Sequence, residues 1–427
     1  MNLNLYSVLT VLVVLTACFS YVNYRYIKLP ATIGIMVISL VCSVLIMVTG
    51  KFYPALMAHP VRMINSLDFE TLLMRVMLSF LLFAAAIHID VRKLKKEMAP
   101  VLLFATIGVL ISTAVIGTAM YFVFQLFSVS IPFIYCLVFG ALISPTDPIA
   151  VLGILKQANI TESIETKISG ESLFNDGVGV VIFVSILEIA TGTGELSVSN
   201  SALLFVKEAG GGILWGVILG YAGYFLIRSI DNYQVEVLIT IATVMGGYLF
   251  AYFLHISGPL AMVVAGIIIG NKGKELAMSD LTKDYLNKFW ELVDVILNAL
   301  LFLLIGLEMV VLSFDKKTIF IGVTAIAIVM AGRLISVFLP TLLLSFRRSV
   351  ERHLIPILTW GGLRGGISVA LALSLPRGSI RNEMVAITYI VVVFSIVVQG
   401  LTIGKLAKKL SSKQKSSPVQ LNKTSFD

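Results

Sequence analysis

Residues 134–156 read IYCLVFGALISPTDPIAVLGILK. The stretch is long and apolar enough to cross a bilayer, whose hydrocarbon core of about 30 Å takes about 20 helical residues. Its middle cannot be continuous helix. Pro145 and Pro148 each remove a backbone donor and bracket Asp147, so the hydrogen-bond ladder stops between them. Residues 354–376 repeat the pattern with other residues: LIPILTWGGLRGGISVALALSLP sets Gly361, Gly362, Gly365 and Gly366 around Arg364. Two interrupted spans, each carrying one charge of opposite sign, are the feature from which the fold is read.

The rest of the chain supplies the frame. Of its 427 residues 58% are apolar and 13% charged, and the mean hydropathy is +0.97. Roughly a quarter of residues are charged in ordinary soluble domains, so this is an all-α polytopic membrane protein embedded in the lipid bilayer. Thirteen spans are expected, near 5–22, 30–50, 70–89, 99–126, 131–156, 170–191, 202–227, 234–255, 258–271, 287–312, 318–345, 353–374 and 383–407. The first has no basic residue before it and no small-residue cleavage site after it, which reads as a retained span. With the C-terminus in the cytoplasm, 22 of the 32 Lys and Arg fall inside, as the positive-inside rule requires, and the N-terminus lies outside. The net charge of +8 therefore reports topology, not a nucleic-acid partner. If spans 1–6 and 8–13 are repeats joined by the seventh, each break falls in the fifth helix of its repeat, and the odd offset inverts the second copy. Inverted repeats with interrupted helices in matching positions point to the binding site of a secondary transporter. Cys18, Cys42 and Cys136 lack metal-like spacing and read as buried small hydrophobes, without disulfide or zinc.

The sixth span opens on Gly170-Glu171-Ser172-Leu173-Phe174-Asn175-Asp176-Gly177-Val178-Gly179. An acid at the centre of a span costs about 2.5–3.5 kcal/mol on insertion scales, so each needs a partner, water or a function. Ser172 and Asp176 are four apart on one helix face, and Glu171 and Asn175 share the adjacent face. A carboxylate held among oxygens can carry either a proton or a cation, which makes Asp176 the candidate exchange site. At the first break, Asp147, the Thr146 hydroxyl and the unladdered SPTDP backbone offer further oxygens to a small cation such as Na⁺.

Arg333, in MAGRLISVF, is a permanent cation that must find an acid, and Glu171 is the partner expected, leaving Asp176 free to titrate. Arg364 is placed to neutralise the facing half-helix ends at its own break. Glu188, Glu308, Arg75 and His88 read as interfacial or structural. Gly212, Gly216 and Gly220 form one small-residue row and Gly266 and Gly270 another, which means close packing either within the chain or between subunits.

SPTDPIAV, GESLFNDGVGVVIF, LFLLIGLEM and WGGLRGGISVALALSLP resemble the monovalent cation:proton antiporter-1 family, the NhaP and sodium/proton exchanger type. The resemblance implies two crossed broken helices and a homodimer. It also implies a core from spans 4–6 and 11–13 against a dimerisation part from spans 1–3 and 7–10, within a transmembrane domain of residues 1–410 followed by a basic cytoplasmic tail, 411–427. It implies electroneutral exchange of one Na⁺ or Li⁺ for one proton in the cell (inner) membrane, with no cofactor beyond the transported ions. By resemblance Asp176 binds ion and proton, Thr146, Asp147, Ser172 and Asn175 complete the ion- and proton-binding set, Glu171 and Arg333 form a bridge, and Asn175 also marks the electroneutral branch. Where some archaeal members carry a glutamate in the third span, this chain has Ala84 in LLFAAAI.

Other classes are weighed against this. A K⁺/H⁺ or mixed-cation antiporter fits the same motifs. A Na⁺-coupled solute symporter would need a larger central cavity. An intramembrane enzyme would need a catalytic dyad or a zinc motif, and four histidines without ligand spacing argue against it.

Overall fold

The computed structural model describes residues 5–53, 71–157, 160–192, 198–312, 314–345 and 354–415. Residues 416–427 of the expected tail lie outside these, as do His59, Arg62, His353 and the basic residues at 347, 348 and 352. The helices in chain order are α1 (Leu5–Val22), α2 (Ala31–Phe52), α3 (Thr71–Ile87), α4 (Val91–Leu126), α5 (Phe133–Ile143), α6 (Ile149–Gln157), α7 (Glu162–Ala190) and α8 (Val198–Arg228). They continue with α9 (Tyr233–Phe253), α10 (Gly258–Ile268), α11 (Asp280–Glu308), α12 (Lys316–Ser345), α13 (Leu354–Gly361), α14 (Gly366–Leu373) and α15 (Ser379–Leu410). Among the described residues no β-strand occurs, and nine helices are long and apolar enough to cross a membrane.

Three helices begin earlier than hydropathy places them: α4 at 91 rather than 99, α7 at 162 rather than 170, and α11 at 280 rather than 287. Each starts on a capping side chain. Asp90 accepts from the Arg92 N–H at 2.8 Å, Thr161 from Ile164 at 3.4 Å and Ser279 from Thr282 at 3.4 Å. Such caps stabilise a helix start by about 1 kcal/mol. The polar turns after them, VRKLKKEM, ESIETKIS and DLTKDYLN, carry no hydropathy signal although they are helical. Glu171 and Asp176 consequently sit well inside α7, not at its start.

The helices pack as two sets. In one, α2 and α3 lie against α11, α3 against α10, and α10 against α8 and α9. In the other, α4 packs on α5, α7 and α12, while α15 packs on α12 and α14. The first glycine row belongs to the first set. A Cβ on Gly212 would lie 2.5 Å from the Ser257 carbonyl, one on Gly216 2.6 Å from that of Ala261, and one on Gly220 2.8 Å from Ile268 Cβ. Gly266 and Gly270 abut Ala86 and Ile87 of α3 in the same way. Both rows are used inside the chain, which settles the choice the sequence left open. Cys136 is buried, but Cys42 is half-buried and Cys18 is exposed, contrary to the expected burial of all three. Cys18 lies on the outer side of α1, a helix with few neighbours, whose apolar side chains face outward, as a lipid-contacting helix allows.

Candidate functional site

The two interruptions meet. The helix is interrupted at Ser144–Pro148, between α5 and α6, and at Gly362–Gly365, between α13 and α14. The Asp147 N–H donates to the Leu363 carbonyl at 2.7 Å, an isolated antiparallel bridge that crosses the two broken helices. A Cβ on Gly365 would fall 2.6 Å from Asp147 Cβ, so close approach is possible only without a side chain there.

Arg364, 2% exposed, acts across this crossing. Its Nη1 donates to the Ser144 carbonyl at 2.5 Å and to the Pro145 carbonyl at 3.2 Å. The charge thus compensates the carbonyl end of α5, the opposite break, and not its own as expected. The α13–α14 break is served by neutral groups instead: the Arg364 N–H donates to Ser395 Oγ at 2.9 Å, and Ser395 Oγ donates to Gln399 Oε1 at 2.6 Å. Ser395 lies in a widened turn of α15, Ser395–Gln399, a form of helix irregularity common at functional positions.

α7 lies against the first break. Asn175 Nδ2 donates to Thr146 Oγ1 at 2.8 Å, the Thr146 N–H donates to Asn175 Oδ1 at 3.4 Å, and the Thr146 and Ser172 hydroxyls are 3.1 Å apart. Ser172 and Asn175 therefore hold the interrupted segment in place from behind. Neither lines the neighbouring cavity, although sequence reading put both among the cation ligands. The two acids of this stretch divide. Glu171 receives Arg333 at two points, Nη1 to Oε1 at 2.5 Å and Nη2 to Oε2 at 3.0 Å, both residues being buried. Arg333 Nε donates to the Leu358 carbonyl at 3.1 Å, which anchors α13 as well. Asp176, 7% exposed, keeps Oδ1 without a hydrogen-bond partner.

Asp176, Asp147 and Thr146 share the wall of a cavity of about 580 Å³. It extends from Gly365 and Ser368 past Ala84 to Asp90, Lys93, Glu162 and Glu165 at the capped starts of α4 and α7.

The family described as sodium/hydrogen exchanger, transmembrane, matches residues 12–409. The chain belongs to the sodium/hydrogen exchanger family. The exchanger is 50% identical to the Na⁺/H⁺ antiporter NhaP of Pseudomonas aeruginosa over 94% of this chain and 96% of the relative. It is 40% identical to the Na⁺/H⁺ antiporter NhaH of Halobacillus dabanensis over 80% and 84%. Its fold is similar to that of the sodium proton antiporter MjNhaP1 from Methanocaldococcus jannaschii, with a TM-score of 0.72 at 17% identity over 94% of this chain and 97% of that one. This is a family of transporters and not of enzymes.

Sequence reading passed over part of the exchanger's cavity. Asp294, Asn298 and Glu291 of α11 and Ser368 of α14 line it, as does His88, for which the sequence suggests an interfacial or structural role. Asp294 and Asn298 are four apart in an otherwise apolar run, a signal present in the sequence but overshadowed by the family motifs. Glu308 ends α11 buried and away from the cavity, with Oε2 unpartnered. Glu188 is half-buried on α7, and Arg75 lies on α3.

Proposed function

We propose that the exchanger trades one Na⁺ for one proton at Asp176, by competition of the two for a single carboxylate. The observation that carries this is the division of labour on α7. Glu171 is neutralised by Arg333, whereas the buried Asp176 faces a cavity with an oxygen that nothing in the protein satisfies. A buried carboxylate without a fixed counter-ion is most stable when it holds a proton or a cation, so releasing one drives uptake of the other. Na⁺ would also find Asp147 and Thr146 oxygens on the same wall. Because one unit charge replaces another on one group, turnover moves no net charge. Li⁺ fits the same hard oxygen set.

The positive-inside count supports a cytoplasmic C-terminus, an external N-terminus and thirteen crossings in the cell membrane. On that orientation Lys93 and Glu162 lie at the cytoplasmic face, and the cavity beside Asp176 opens inward. The two helix sets meet through α7 against α8 and α10 and α11 against α14, with fewer partners than either has internally. A core of α4–α7 and α12–α15 that shifts against α1–α3 and α8–α11 would carry Asp176 between the two sides, and the latter set would dimerise. The test is proton movement in proteoliposomes on adding Na⁺, Li⁺ or K⁺. Na⁺- or Li⁺-driven exchange supports the reading, and exchange driven by K⁺ alone overturns its cation.

A further inference from the structure

The cavity wall opposite α7 has chemistry that the exchange step at Asp176 does not use. Asp294 and Asn298 sit one turn apart on α11 and both line the cavity. Asn298, 2% exposed, donates from Nδ2 to Asp294 Oδ1 at 3.0 Å and to the Asp294 carbonyl at 2.8 Å. The amide thereby fixes one carboxylate oxygen and presents the pair as a unit. Three residues on, Leu301 packs onto Gly366, where an added Cβ would lie 2.5 Å from the Leu301 side chain. This contact brings the start of α14 against α11, within about a turn of Asn298 on one helix and of Ser368 on the other. Ser368 is 1% exposed, lines the same cavity, and its Oγ has no hydrogen-bond partner.

A hydroxyl buried without a partner is unfavourable, and such a group facing a polar cavity is satisfied by what enters it. A carboxylate, an amide fixed beside it and an unsatisfied hydroxyl on the facing helix make an oxygen-rich set suited to a hard monovalent cation that keeps part of its water. Ser368 lies just past the Gly362–Gly365 break, in α14, and the set shares no residue with Asp147, Thr146 or Asp176.

We propose that Asp294, Asn298 and Ser368 form a second cation station in the cavity, which captures Na⁺ before it reaches Asp176 and sets the apparent affinity for it. The station rests on the reading of Asp176 as the exchange group and is separable from it. A capture site changes the cation concentration at which exchange half-saturates, whereas the exchange group determines whether exchange occurs at all. The α3 residues that line this cavity, Ala84 among them, carry no carboxylate, whereas α11 contributes Asp294 and Glu291 to its wall.

The experiment is Na⁺-dependent proton movement in proteoliposomes for Asp294→Asn, Ser368→Ala and the wild type, across Na⁺ concentrations at fixed alkaline pH. Asp294→Asn is expected to raise the KM for Na⁺ roughly tenfold and Ser368→Ala several-fold, with the rate at saturating Na⁺ retained; tenfold corresponds to about 1.4 kcal/mol of binding. Ser368→Ala removes no charge, so its effect separates ligation from a general field. It also stands in for Asp294→Asn if that variant does not assemble. A wild-type KM in Ser368→Ala overturns the station, as does loss of the saturating rate in either assembled variant. Retained exchange in Asp176→Asn overturns the exchange-site reading instead.

Discussion

The Asp147 N–H donates to the Leu363 carbonyl, 2.7 Å away. That single bond joins two helices interrupted for different reasons, one by prolines and one by glycines. It leaves the Asp147 side chain facing the cavity from a backbone that has no helical ladder of its own. Irregular backbone at membrane depth persists where it lines a cavity and its polar groups find partners within the protein. Here the partners are Leu363, Arg364 and the side chains of α7.

Asp176→Asn is expected to reduce Na⁺-driven proton movement to the level of empty liposomes while the protein assembles normally. The amide keeps the shape of the carboxylate and removes its charge, so it can exchange neither ion. Fluorescence quenching of a pH dye in proteoliposomes reads this out. Exchange at the wild-type rate would assign the chemistry to another acid.

Competition at one carboxylate fixes the sign of the pH dependence. When pH falls below the proton affinity of Asp176, a cation must displace a proton, and the apparent KM for Na⁺ rises by up to about tenfold per pH unit. When pH rises well above it, the KM becomes flat. A KM independent of pH throughout the active range would separate the proton site from the cation site.

Electroneutrality is tested by clamping the membrane voltage with K⁺ and valinomycin. The initial exchange rate is expected to be the same at zero and at an imposed inside-negative voltage. A rate that follows the voltage would mean that a second charge moves with the ions and that Asn175 does not set the stoichiometry.

Glu171→Ala strands the Arg333 guanidinium in a site where it is 7% exposed. Breaking a buried pair from one side costs about 3–5 kcal/mol, so lower expression and a clearly lower melting temperature in detergent are expected. Arg333→Met in the same chain should recover part of that loss, because the uncompensated charge is gone. Normal thermal stability in Glu171→Ala would show that the ion pair does not hold α7 to α12.

Gly365→Ala places a methyl where Asp147 Cβ and Oδ2 already stand, 2.6 and 2.7 Å from the new carbon. The backbone there, φ −121°, tolerates any residue, so the conflict is with the crossing and not with the chain itself. Exchange is expected to fall at least tenfold, a scale of about 1.4 kcal/mol, with Asp147 displaced. Gly153→Ala, with nothing within 4 Å of the added carbon, is the control and should leave exchange unchanged.

Apolar length was enough to read from sequence a polytopic helical protein, because transfer to lipid acts on each segment separately. Pro145, Pro148 and the glycines around Arg364 marked both interruptions, because each of these residues acts on the backbone at its own position. A buried arginine needs an acid, and that requirement together with the family motif led from Arg333 to Glu171. Properties that depend on what faces what were decided by the tertiary structure. Arg364 compensates the carbonyls of the other break, Ser172 and Asn175 stand behind Thr146, the glycine rows close on α3 and α10, and Asp294, Asn298 and Ser368 reach the same cavity as Asp176. Sequence spacing assigns a residue to a face of its own helix. Which neighbour that face meets is set by the packing of all the helices together.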